Sequence, residues 1–347
     1  YGWSWGFGSA GVGMMLGLIV FLRGRPLLQG HGEAPDPALL ARRVAGLPVE
    51  WLIYVVSAIA VLVNWVLIQE QEAIGTLMLI AGVILFGYIL SIAFTKLERE
   101  PRDRILAILF LLLLQPLFWG LFEQAGASLN LFTDRFVDRQ MLGFLVPASL
   151  FQSINAIYIV LLGPLFAGLW VLLSRRGLEP STPAKFGLGL VQLGGGFLVL
   201  VWGAKAAGID APTPVLFIFL IYLLHTTGEL CLSPVGLSAM NRLAPAQMAS
   251  LVMGAWFFAT AGGSFVAGKI SEAVGAENAT GAEGAKLLVL DVYQLIGWVA
   301  IGVGIAVLLV SPLVKRLMHL DALRDEDVEG REQIGDPEVA GVHPAAK

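Results

Sequence analysis

Apolar residues run through this 347-residue chain in long blocks, not in the alternation of strands or the one-sided stripes of soluble helices. Nine blocks predict helices at 6–22, 51–68, 74–94, 105–123, 142–173, 186–204, 214–232, 248–268 and 293–314. Most match the roughly 17–25 residues with which a helix crosses a hydrocarbon core of about 30 Å. The fifth is longer, with Pro147 near its start and Pro164 inside it. It is expected to be tilted or broken, its freed carbonyls finding partners on neighbouring helices. The second and third blocks contain no Asp, Glu, Lys, Arg or His and form a hairpin expected to face lipid. Its conspicuous polar group, Asn64, is expected to hydrogen-bond another helix.

Composition sharpens this into a class. At 57% hydrophobic and 14% charged residues, with mean hydropathy +0.78, the chain is an all-α integral membrane protein. The one cysteine, Cys231, lies inside a predicted span and reads as a small core hydrophobe, not a reactive thiol. The chain begins at Tyr1 without a methionine or a signal-peptide pattern, and is expected to be a fragment with more sequence upstream. A net charge of −4 says little about partners, and no nucleic acid is expected among them.

Charge also sets orientation. If the first connection is cytoplasmic, 17 of the 22 lysines and arginines fall on that side and 5 on the other. Without the distant Arg331 and Lys347 the asymmetry is still 15 to 5, which places the first residue outside and the C-terminus in the cytoplasm. The segment 321–347 is acidic and poor in large apolar residues, and is expected to be solvated and poorly ordered. Asn278-Ala279-Thr280 fits a glycosylation sequon on the outer side, a pattern that is common by chance.

Two carboxylates lie clearly within the predicted spans, Glu123 and Glu229. An acidic residue at a helix centre costs roughly 2.5–3.5 kcal/mol on insertion scales, so each calls for a cavity, a partner or a function. Trp119 and Glu123 are four apart and share a helix face; Glu123 reads either as a titrating or ligand-contacting carboxylate or as a helix-end residue reaching interfacial water. His225 and Glu229 are also four apart. No second His/Asp/Glu pair stands at ligand spacing, so no metal is expected, and His225 is expected to donate to a carbonyl on a neighbouring helix. Gln152-Ser153-Ile154-Asn155 offers amides and a hydroxyl that could bind a peptide-like group or hold helices together, and Trp256 could wall a pocket, although packing is the expected role of an isolated aromatic. Gly254, Gly262, Gly263 and Gly268 permit close helix approach. No His-Glu-x-x-His, Gly-x-Ser-x-Gly or Walker-type loop occurs, so the chain is not expected to be an enzyme. Polar groups on different helices fit a secondary transporter.

Several stretches together resemble the bacterial proton-dependent oligopeptide transporters of the major facilitator superfamily. They are Gly2-Trp3-Ser4-Trp5-Gly6-Phe7-Gly8 with Gly13-Met14, Phe118-Trp119 through Glu123-Gln124-Ala125-Gly126 to Asp134-Arg135, and Pro147-Ala148-Ser149 with Phe151-Gln152-Ser153-Ile154-Asn155. Glu179-Pro180-Ser181-Thr182-Pro183-Ala184-Lys185-Phe186 and Gly228-Glu229-Leu230 with Ser233-Pro234-Val235-Gly236-Leu237-Ser238 follow in the family's order. The resemblance implies a partial major facilitator fold: 1–22 the last helix of the N-terminal bundle, 23–50 a cytoplasmic linker and 51–94 an inserted transmembrane hairpin. A six-helix C-terminal bundle at 95–320 and the acidic tail at 321–347 complete it, with the first five helices of the N-terminal bundle missing.

The resemblance implies proton-coupled symport of di- and tripeptides through a bacterial inner membrane, driven by the proton gradient without a cofactor. It places Glu229 at the peptide ammonium and in proton coupling, paired with a lysine outside this chain, and Glu123 in proton coupling and gating. It puts Trp119 at the pocket wall, Asn155 on the peptide and Trp256 in a side-chain pocket, with Ser233 one turn beyond Glu229. The family often has a tyrosine where Cys231 stands. A related carrier of nitrate, plant-type glycosides or drugs, and a non-transporting receptor or assembly subunit, are the competing expectations. The implied partners are the peptide, protons, the bilayer and the rest of the same protein.

Overall fold

The computed structural model describes residues 3–28, 37–44, 46–67, 69–275 and 281–320. The acidic tail and the sequon therefore lie outside the described residues. Among those that are described, nine helices are long and apolar enough to cross a membrane. The chain divides into two compact units, 1–74 and 75–347.

The first unit carries α1 (Trp3–Gly24), a 3-10 turn (Arg25–Leu28), the short α2 (Pro37–Ala41) and α3 (Val49–Leu67). A two-residue antiparallel ladder, Arg43–Val44 with Leu47–Pro48, turns through Gly46 at φ +87° and leads into α3. Large apolar side chains such as Phe7, Met14 and Trp65 are exposed, as on a helix whose solvent is hydrocarbon. Asn64 departs from its expected role: its Nδ2 donates to the Ala60 carbonyl of its own helix at 2.9 Å. That internal bond uses one of the two amide protons within the helix itself.

The second unit begins within α4 (Gln71–Lys96) and continues through α5 (Arg99–Phe122), α6 (Ser128–Phe136), α7 (Ser153–Arg175), α8 (Thr182–Ala207), α9 (Leu216–Leu243), α10 (Ala249–Val274) and α11 (Gly281–Leu317). The expected hairpin thus falls across the division between units. Its second helix is not lipid-facing all round, since Ile89 and Ala93 are fully buried. Gly75 and Gly82, seven apart, lie against Phe265 and Phe258 of α10. A block with no charged residue or histidine carries no strong mark of which side is covered, which is why the sequence pattern does not show the buried face.

Small residues on α8 decide the packing of the centre. Gly187 and Gly194 repeat every seven positions on one face, and a Cβ there would meet the carbonyl oxygens of Gly304 at 2.8 Å and Gly297 at 2.5 Å on α11. Gly189 and Gly196 form a second stripe on the opposite side, against the Gly228 carbonyl at 2.9 Å and the His225 ring on α9. Backbone approach of this kind replaces the hydrophobic drive that lipid does not supply. Phe186, Leu190, Leu193 and Phe197 fill the space between the stripes. Ser181 caps α8, accepting from Ala184 N, with Pro183 in the first turn, and Gly208 at φ +102° ends it.

The fifth predicted block is broken, as expected, and the break lies at its start around Pro147 and not at Pro164. Residues 140–145 form a two-stranded turn, Ala148–Gln152 a 3-10 turn, and α7 starts only at Ser153. Pro164 lies inside a continuous α7, and Pro234 inside α9, which runs well beyond its predicted end at 232.

Candidate functional site

Glu229 sits half-buried on α9, two turns into the segment that follows the buried Tyr222. Its Oε2 accepts from Asn155 Nδ2 on α7 at 3.0 Å. The same amide nitrogen donates to Thr226 Oγ1 at 3.1 Å, and Thr226 donates to the Tyr222 carbonyl at 2.7 Å. Both amide protons of Asn155 are therefore used within the protein. Thr226 is the member that sequence reading missed. Its spacing of three before Glu229 puts both on one helix face and was the available signal.

Glu123 approaches this pair from α5. The helix stops at Phe122 and tightens into a 3-10 turn, Glu123–Gly126, with the Glu123 N–H bonded to Trp119 O and Leu121 O. The Glu123 side chain is exposed and within electrostatic range of Glu229. Charge on one carboxylate is therefore felt by the other, and a proton or cation on either relieves repulsion between them.

Trp119 is half-buried, with Phe118 and Phe122 edge-on at 5.6 and 5.4 Å and its Cβ pressed against Gly263 of α10. Its Nε1 has no hydrogen-bond partner among the described residues. Of the four glycines flagged around α10, Gly263 makes this close approach, whereas Gly254 and Gly268 face open space.

The remaining expected residues are not brought onto the carboxylate pair. Trp256 is 4% exposed and lies against Gly236 in the core with Phe186. Ser233 is half-buried one turn beyond Glu229. His225, although four residues from Glu229, faces α8, its ring 4.9 Å from Phe197 and packed over Gly196. The expected carbonyl bond does not form with full geometry. The ring lies near the Leu193 backbone, but both nitrogens lack a hydrogen-bond partner. Cys231 is buried, with Gln192 Nε2 3.5 Å from its sulfur.

Below the Asn155–Glu229 bond, toward the ends of α7 and α9, a cavity of about 530 Å³ opens beside Pro234, walled by Phe166, Trp170 and Val235. The ion pair Lys185–Glu179 lies at its edge at 2.5 Å, with the ammonium 4.3 Å from the Trp170 ring. The hydrogen bond from Lys185 holds the Glu179 carboxyl below its ordinary range.

The sequence profile of the POT family matches residues 1–286. The peptide transporter YePEPT of Yersinia enterocolitica is 36% identical over 80% of this chain and 57% of its own length. A dipeptide and tripeptide permease A of Erwinia pyrifoliae is 31% identical over 91% of this chain and 63% of its own. Among solved structures, a mutant peptide transporter POT in complex with alafosfalin superposes with TM-score 0.71 at 29% identity, covering 92% of this chain and 63% of that one. A POT family transporter in complex with 5-aminolevulinic acid superposes with TM-score 0.68 at 25% identity, covering 89% and 63%. The chain spans roughly three fifths of the length of these relatives.

Proposed function

This chain belongs to the POT family and has its all-α, multi-pass major facilitator fold, and from that premise we propose that it is the C-terminal part of a proton-coupled symporter of di- and tripeptides. The observation that carries the reading is the Asn155–Glu229–Thr226 cluster with Glu123 in electrostatic range. A peptide zwitterion must shed water at both ends, so its ammonium needs a fixed carboxylate, and its variable side chains need adaptable apolar walls. Asn155 spends both amide protons on holding Glu229 and Thr226, which leaves its carbonyl oxygen and the second oxygen of Glu229 as acceptors for an ammonium. Trp119 stands one turn before Glu123 and Ser233 one turn beyond Glu229; Trp256 joins the pocket only if α9 and α10 part at Gly236.

Proton coupling follows from the electrostatic reach between the two carboxylates. With both carboxylates charged the site repels itself and holds a cation; protonating one weakens its hold on a basic partner and lets the bundles rock about the site. Glu123 and Glu229 are the coupling groups, the gradient supplies the drive without a cofactor, and no covalent chemistry is involved. On this reading the groups that hold the peptide's carboxylate, and the basic partner of Glu229, stand on helices outside this chain. The relatives' names support the substrate, their bacterial organisms support a bacterial inner membrane, and the charge asymmetry supports a C-terminus in the cytoplasm.

The test is uptake of a labelled dipeptide by the full-length protein in liposomes under an imposed proton gradient. Uptake should be lost in Glu229→Gln, which keeps shape but not charge. Undiminished uptake by that variant refutes the assignment, and failure of dipeptides to compete for uptake points to a different substrate.

A further inference from the structure

Glu123 and Gln124 are adjacent, yet one is exposed and the other is fully buried. Gln124 lies where α5 and α10 are closest, beside Gly120 and Gly263. Its amide is satisfied on every side. Nε2 donates to Gly120 O at 2.9 Å and to Ala267 O of α10 at 3.1 Å. Oε1 accepts from Ser128 of α6 at 2.5 Å, and Ser271 Oγ of α10 lies 3.1 Å away, its one proton shared with Ala267 O at 2.9 Å. Ser128 Oγ also lies 2.8 Å from the Tyr293 hydroxyl of α11. Because Ser128 has one proton and gives it to Gln124, Tyr293 must donate to Ser128. A single amide thus ties the last turn of α5 to α6, α10 and α11, through a buried network in which any displacement strands a donor or acceptor.

Successive residues of a 3-10 turn are rotated by about 120°. Anchoring Gln124 inward therefore aims Glu123 outward, where it is exposed and within electrostatic range of Glu229. We propose that Gln124 is the positioning residue for Glu123: its junction holds the carboxylate within range of Glu229 and makes that placement depend on where α10 and α11 stand. This inference rests on the proton-symport reading above. It assigns Gln124 no contact with peptide or proton.

The experiment compares gradient-driven dipeptide uptake with gradient-independent counterflow in liposomes, using the full-length protein, Gln124→Leu and Tyr293→Phe. Tyr293→Phe removes only the terminal donor, so it folds where the leucine variant fails to. The ratio of driven uptake to counterflow should fall about tenfold in Gln124→Leu and about threefold in Tyr293→Phe, with the counterflow KM within about twofold of the parent. An unchanged ratio in Tyr293→Phe, or driven uptake and counterflow falling in equal proportion, overturns the positioning role alone. A parent without gradient-driven peptide uptake overturns the symport reading and this inference together.

Discussion

Asn155→Leu removes the one side chain that bridges α7 to the Glu229 carboxylate while keeping the apolar volume. The lost bond runs to a carboxylate, a class worth about 1.5–3 kcal/mol when buried. Glu229 is half-buried, so water replaces part of the loss and the net cost is about 1–2 kcal/mol. At 1.4 kcal/mol per factor of ten, dipeptide affinity should weaken roughly 5- to 30-fold. Thr226→Val removes only the second acceptor of the amide, a neutral bond worth about 0.5–1.5 kcal/mol, and should weaken affinity about 2- to 10-fold. The assay is the KM of counterflow in liposomes, checked by direct binding of labelled dipeptide to the detergent-solubilised full-length protein. Affinity within twofold of the parent in Asn155→Leu refutes the arrangement proposed for the ammonium. A larger effect from Thr226→Val than from Asn155→Leu refutes the ranking derived from the bonds.

Gly194→Val pushes a side chain into the Gly297 carbonyl, 2.5 Å from where its Cβ would stand, whereas Gly195→Ala meets nothing within 4 Å. The first should lower the thermal midpoint by the equivalent of about 1–3 kcal/mol or more and the second should leave it unchanged, as read by unfolding in detergent. Glu179→Gln leaves the Lys185 ammonium without its carboxylate; with Glu179 about one-third exposed, the loss is about 1–2 kcal/mol. Because the folded Glu179 carboxyl is held below its ordinary value of 4.5, the stability it contributes is present above about pH 4.5 and is lost as pH falls through its folded value. The stability gap between parent and Glu179→Gln should therefore close in acid. Cys231, 2% exposed, should resist a maleimide in the native protein and react fully once unfolded; rapid native labelling contradicts the packing described for α9.

The class of the protein was legible because membrane insertion is read residue by residue: a helix in hydrocarbon satisfies its own backbone, so long apolar blocks suffice to mark it. The carboxylates were legible for the same reason, since a charge in such a block is costly enough to stand out. Thr226 was less visible, because a threonine in a membrane helix bonds back to its own backbone as readily as to a neighbour. Asn64 and His225 show the opposite failure. Each was assigned a partner on another helix. The first bonds to Ala60 of its own helix, and the second packs between rings with neither nitrogen bonded.

By itself, the sequence determined the all-α membrane class, the approximate spans, and the scarcity of intramembrane charge that singles out Glu123 and Glu229. Through its quoted motifs it also pointed to the family. Only the tertiary structure decided which helix faces meet. The two glycine stripes of α8 choose α11 and α9, Asn155 and not His225 becomes the partner of Glu229, and Trp256 closes into the core. The physical reason is that hydropathy reports the exchange of a residue between water and lipid, and every face of these helices is apolar enough for lipid. Which face is covered depends on steric fit and on hydrogen bonds between segments far apart in the chain, and neither leaves a periodic mark along it.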